Sequence, residues 1–87
     1  MELTVPKTVK KIGSEAFYGC SHLRDIYLPA SVTQVGREIL GYYDDNQFSS
    51  GKPSGVYVHT PAGSAVEAYV KEHYSGVYVV NDYPEDK

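Results

Sequence analysis

The chain has one cysteine, no tryptophan, two phenylalanines and no excess of basic residues. A single cysteine, Cys20, excludes an internal disulfide, and no Cys/His spacing matches a zinc site. No apolar run approaches the ~20 residues that cross a bilayer, and the start Met1-Glu2-Leu3 lacks a charged-then-apolar secretion signal, so any such signal is expected upstream. Eight Lys and Arg against eleven Asp and Glu give a net charge of −3 with no basic cluster. Without such a cluster a run of phosphates cannot be neutralised, and nucleic acid is not an expected partner.

What is present is the composition of one small soluble unit, 41% hydrophobic and 22% charged over 87 residues. A chain of this size buries only roughly 60% of the surface that it exposes when unfolded, so the expectation is a marginal fold or part of a larger one. Nine tyrosines supply almost all of the aromatic content. Tyrosine differs from phenylalanine in carrying a hydroxyl that tolerates water or seeks a partner.

Leu3-Thr4-Val5-Pro6-Lys7-Thr8-Val9-Lys10-Lys11-Ile12-Gly13 and Ile26-Tyr27-Leu28-Pro29-Ala30-Ser31-Val32-Thr33-Gln34-Val35-Gly36 have matching polarity at nearly every position. Pro6/Pro29, Val9/Val32, Gly13/Gly36 and Glu15/Glu38 coincide at an offset of 23 residues. A period in that range belongs to stacked supersecondary units, none of which can bury its own apolar side alone. Each unit opens with an in-out-in triplet, Leu3/Thr4/Val5 and Ile26/Tyr27/Leu28, which predicts a short strand ended by proline. Val9, Ile12, Ala16 and Phe17, and then Val32, Val35, Ile39 and Leu40, predict a turn and a short helix packing back on the strands. Gly13 and Gly36 stand where a reversing chain needs an unhindered backbone or a positive φ.

Val56-Tyr57-Val58 and Val77-Tyr78-Val79 read as a third and a fourth strand. Between them Ser64 and Glu67 have capping-box spacing, and Val66, Tyr69, Val70 and His73 form one apolar stripe of a helix. Strand, helix and strand in that order predict a right-handed crossover onto one parallel sheet. Residues 81–87 are charged and are expected to fray.

The stretch Val9-Lys10-Lys11-Ile12-Gly13-Ser14-Glu15-Ala16-Phe17-Tyr18-Gly19-Cys20-Ser21-His22-Leu23 closely resembles the BspA-like leucine-rich repeat. Val58 to Tyr69 is similar to the helix-bearing segment that closes such arrays. The resemblance covers Leu3 to Val80 and implies an α/β leucine-rich-repeat solenoid fragment: short parallel strands with turns, short helices and one C-terminal helix-strand cap. It divides the chain into a repeat domain over 1–80, with units 3–25 and 26–55 and a closing segment 56–80, and the tail 81–87. It also implies a non-catalytic adhesion module of a secreted or bacterial cell-surface protein, with a host surface or matrix protein as partner. The second unit departs from the pattern, with Ile39-Leu40 in place of Ala16-Phe17 and Tyr43 where Cys20 stands. The polar insertion from Asp44 to Gly55 is expected to project as a loop.

If the aliphatic strand residues face inward, Thr4, Tyr27, Tyr57 and Tyr78 face outward as a ladder, with His59 in the slot of Pro6 and Pro29. Three adjacent tyrosines then form a stripe that reads either as a recognition surface or as cross-strand packing by a residue that favours strands. Cys20 falls at the core cysteine position of the repeat and reads as a buried thiol. His22, His59 and His73 lack metal-ligand spacing, and Asp44-Asp45-Asn46 lacks the glycine and glutamate of a calcium loop. Gly63-Ser64 reads as a helix cap rather than a phosphate cradle, because no lysine follows. No nucleophile, base and oxyanion donors can be assembled, and no cofactor is expected. Two functional readings follow, a protein-binding face and a structural C-terminal cap. The first strand, Leu3 to Val5, is expected to present an unpaired edge open to self-association.

Overall fold

The computed structural model describes residues 2–18, 23–43, 45, 47 and 52–83. Cys20, His22, residues 44, 46 and 48–51 of the Asp44 to Gly55 insertion and residues 84–87 lie outside the described residues, as do the expectations attached to them. Two parallel ladders run through the fold. The larger joins β1 (Glu2–Thr4), β3 (Asp25–Tyr27), β5 (Val56–His59) and β6 (Val77–Val80) in that spatial order, every neighbouring pair parallel. The smaller pairs β2 (Lys11–Ile12) with β4 (Gln34–Val35).

The 23-residue period sets the first step of both ladders: Leu3 lies beside Ile26 and Ile12 beside Val35. Because the offset is the same in each, the apolar positions paired in the two ladders stack on their equivalents in the next unit. Ile26, Leu28, Val32, Ile39, Val58, Val66 and Val70 are wholly buried between the ladders and the helix, each contributing roughly 1.5–3 kcal/mol of burial. Where short helices were expected after Gly13 and Gly36 the backbone makes turns instead. Ala16 N–H donates to Gly13 O and Tyr18 N–H to Glu15 O, and the units lock together as Glu15 N–H donates to Arg37 O and Phe17 N–H to Ile39 O.

The glycines have different roles from the paired one expected. The left-handed position of each unit is filled by Glu15 (φ 58°) and Glu38 (φ 52°), one residue pair further on. Gly36 is needed for close approach, because a Cβ there would lie 2.7 Å from the Gly13 carbonyl carbon and closer still to Ser14 N. At Gly13 the same added atom meets nothing.

The third strand departs from the expected register by two residues. Tyr27 is level with His59, not Tyr57, and Ile26 with Val58. The true third copy is Val58-His59-Thr60-Pro61, aligned with Ile26-Tyr27-Leu28-Pro29 and Leu3-Thr4-Val5-Pro6. The turn after each strand repeats as well: Val9, Val32 and Ser64 N–H donate to the carbonyls of Pro6, Pro29 and Pro61. His59 therefore occupies the slot of Thr4 and Tyr27, not that of the prolines.

Helix α1 (Ala65–His73) begins where expected. Ser64 Oγ accepts from Glu67 N–H at 3.1 Å, while the Glu67 carboxylate reaches back to Gly63 N–H at 2.8 Å rather than to Ser64 N–H, which Pro61 O already occupies. That bond, with a second from Asn81, holds the Glu67 carboxyl below its usual range. Val66 and Val70 pack into the core, and Tyr69 and His73 flank them half-buried.

Asn81 to Tyr83, expected to fray, are instead fixed across the ends of the strands. Asn81 Nδ2 donates to Thr60 O at 2.9 Å, and the buried Tyr83 hydroxyl donates to Val5 O at 2.7 Å. These bonds satisfy carbonyls that the sheet leaves free beyond its strand ends.

Candidate interaction surface

Alternation along β1, β3, β5 and β6 sends two rows of side chains to the outer face of the sheet. The first row is Glu2, Asp25, Tyr57 and Tyr78, and the second is Thr4, Tyr27, His59 and Val80. The expected continuous stripe of Tyr27, Tyr57 and Tyr78 is thereby broken. Tyr57 and Tyr78 remain neighbours, their rings stacked 5.1 Å apart and 28° from parallel, and they are 39% and 56% exposed. Tyr27 is half-buried and stacks on His59 instead, with ring centroids 4.1 Å apart. Thr4 is exposed beside Tyr27.

His59 is only 8% exposed. Its Nε2 lies 2.8 Å from Asp25 Oδ1 and its Nδ1 2.5 Å from Asp82 Oδ1, so the imidazole joins β5 to β3 and to the C-terminal segment. A neutral imidazole has one N–H; only the protonated ring can donate to both carboxylates. Burial favours the neutral form, but hydrogen bonds and charge from Asp25 and Asp82 outweigh it and hold the His59 pKa above its ordinary value. The same acidity reaches Tyr27, whose hydroxyl is raised by partial burial, by the charges of Glu2, Asp82 and Asp25, and by a hydrogen bond with Glu2.

Thus three carboxylates sit on or beside this face, and among the described residues of the four strands there is no lysine or arginine. Asp25, Asp82 and Glu2 were missed by sequence reasoning. Glu2 and Asp25 lie two residues before Thr4 and Tyr27, so alternation alone carried the signal for both; nothing local signalled Asp82.

On the opposite side, Tyr43, Tyr69 and Tyr74 converge on the second unit's turn. Their hydroxyls accept from the N–H groups of Glu38, Ile39 and Leu40 at 3.1, 3.4 and 3.4 Å, and Tyr74 also donates to Gly41 O at 2.8 Å. His73 stacks on Tyr43 at 4.0 Å. Burial raises the pKa of both Tyr69 and Tyr74 above that of a free phenol.

Parallel strands at a 23-residue offset, each followed by a proline turn and a second short ladder, define a leucine-rich-repeat protein. The family model described as BspA type leucine-rich repeat region (6 copies) matches residues 1–49, more than half of the chain. The chain belongs to that family, whose repeats typically serve as non-enzymatic interaction modules. Comparison with curated proteins finds no match, and neither does comparison with solved structures.

Proposed function

We propose that the outer face of the four-stranded sheet is a protein-recognition surface on a non-catalytic adhesion module, carried by a bacterial cell-surface or secreted protein. The observation that carries this reading is the Tyr57–Tyr78 pair: two stacked rings left exposed on the outer face of the sheet. Tyrosine brings large contact area at small entropic cost, which is what recognition surfaces select. The family supports it, because its members are commonly surface or secreted proteins. The expected partner is a host surface or matrix protein. The test is binding of the chain to a panel of immobilised extracellular-matrix proteins, with a Tyr57→Ala/Tyr78→Ala double variant as control. Loss of binding in a folded double variant supports the surface; unchanged binding removes it from the function.

A second reading, a structural C-terminal cap, is favoured by the three tyrosine hydroxyls on Glu38, Ile39 and Leu40 N–H. In that reading, β5, α1 and β6 serve to close a longer array, and recognition belongs to other repeats. Removing residues 44–87 from the parent protein separates the two: aggregation with binding retained favours the cap. Self-association through the β1 edge is a further expectation, checked by sedimentation across a concentration series.

A further inference from the structure

We infer that the sheet face takes a cationic partner, specifically an extended segment whose arginine side chain seats on Tyr57 and Tyr78 with its guanidinium turned to Asp25 and Glu2. This inference rests on the reading of the sheet as a binding face and specifies what it binds. The row Glu2, Asp25, Tyr57, Tyr78 crosses the sheet perpendicular to the strands, acid beside acid and ring beside ring. Neighbouring strands are ~4.8 Å apart, so a group lying over the Tyr57 ring is within reach of the Asp25 carboxylate on the next strand.

Two carboxylates directly opposite each other across a strand pair repel. Glu2 and Asp25 hold that position, and Asp82 adds a third negative charge beside Asp25 at the His59 bridge. His59 offers one positive charge to two of them, and its ring is buried beneath Tyr27. Among the described residues of β1, β3, β5 and β6 no lysine or arginine answers the remainder. An incoming guanidinium does so, and its planar fork also matches both halves of the row: it stacks on tyrosine faces and donates two parallel N–H groups to a carboxylate. A neutral saccharide stacks on the rings but leaves the acid pair unrelieved. An acidic segment is repelled by it.

The test titrates the whole chain with a 12-residue peptide of alternating serine and arginine, followed by amide NMR, in parallel with the peptides carrying citrulline or glutamate at the arginine positions. The arginine peptide is expected to shift Asp25, Tyr57 and Tyr78 and to weaken as salt is raised. The citrulline peptide, of the same shape without charge, is expected to bind at least about 10-fold more weakly. Glu2→Gln should weaken the arginine peptide about 3-fold and Tyr57→Ser about 5-fold. Both positions are exposed, and unchanged Ile26 and Val58 resonances confirm the fold.

Equal binding of the citrulline peptide, or variants that leave arginine binding untouched, overturns the cationic assignment. So does an arginine peptide that shifts none of the three residues. If an uncharged peptide shifts Tyr57 and Tyr78, recognition by the sheet survives and only its charge preference fails. Shifts confined to the β2–β4 side overturn both.

Discussion

The two repeat units share a period, a turn and a left-handed glutamate, yet they close their backbones by different means. In the first unit the turn N–H groups of Glu15 and Phe17 donate to carbonyls of the second. In the second unit the equivalent groups of Glu38 and Leu40, with Ile39 between them, meet tyrosine hydroxyls. The first unit draws its partners from the next copy, whereas the second, followed by α1 instead of another such turn, finds them in side chains, because buried backbone donors are rarely left unpaired. This accounts for much of the tyrosine content. Four of the nine tyrosines, Tyr43, Tyr69, Tyr74 and Tyr83, hydrogen-bond free backbone groups at the margins of the repeat, and phenylalanine could not.

The contrast is sharpest at the paired glycines. Gly36→Ala should destabilise the chain by about 3 kcal/mol, near the top of the overpacking range, because the atoms in the way are backbone atoms of Gly13 and Ser14. Gly13→Ala, at the equivalent position with open space, should fall within about 0.5 kcal/mol of the parent. Urea denaturation of the pair measures both, and equal losses would show that the units do not stack as described.

Next in size is the tyrosine closure itself. Tyr74→Phe keeps the ring but removes the hydroxyl that accepts from Leu40 N–H and donates to Gly41 O, both in a buried setting. Leaving these groups unpaired should cost about 2 kcal/mol, with amide exchange at Leu40 accelerated. If exchange at Leu40 stays slow in the variant, another group closes the second unit. Tyr83→Phe is the smaller companion, at about 1 kcal/mol for one hydrogen bond to Val5 O. A Tyr83→Phe variant as stable as the parent would return residues 81–83 to a loose tail.

How far such features could be read in advance depended on how local they were. The 23-residue period was legible because Pro, Val and Gly recur at fixed positions, and the prolines open the same local turn after each strand. The register of β5 was not, and the reason is geometric: in Val56-Tyr57-Val58-His59 a shift of two residues leaves the same residues facing inward, so alternation cannot distinguish the frames. Pro61, aligned with Pro6 and Pro29, breaks that degeneracy through the turn that it opens. The smaller ladder has only two residues per strand, too short to show a period. The exposed tyrosine pair was legible from alternation, while the His59 bridge was not, since it joins β3, β5 and a charged segment whose composition suggests solvent.

That bridge yields the mildest effect, a slope with pH rather than a step. His59 faces Asp25 from β3 and Asp82 from the C-terminal segment, with Tyr27 stacked on its ring and Glu2 behind Tyr27. Its folded-state pKa is raised, so the folded chain holds the proton more tightly than the unfolded chain, where the imidazole titrates near about 6.5. The stabilisation is therefore complete below about pH 6.5 and is lost as the pH rises through the folded-state value. Thermal denaturation of the parent should show a Tm that declines across this window, and His59→Gln should flatten the decline, because glutamine neither titrates nor gains a second donor charge. Deprotonation leaves one N–H for two carboxylates, so the weaker contact is released. NMR shifts of Asp82 and Tyr83 that track the His59 titration would locate that release in the C-terminal segment, whereas shifts at Asp25 alone would place it on the sheet and leave the closure at Val5 independent of pH.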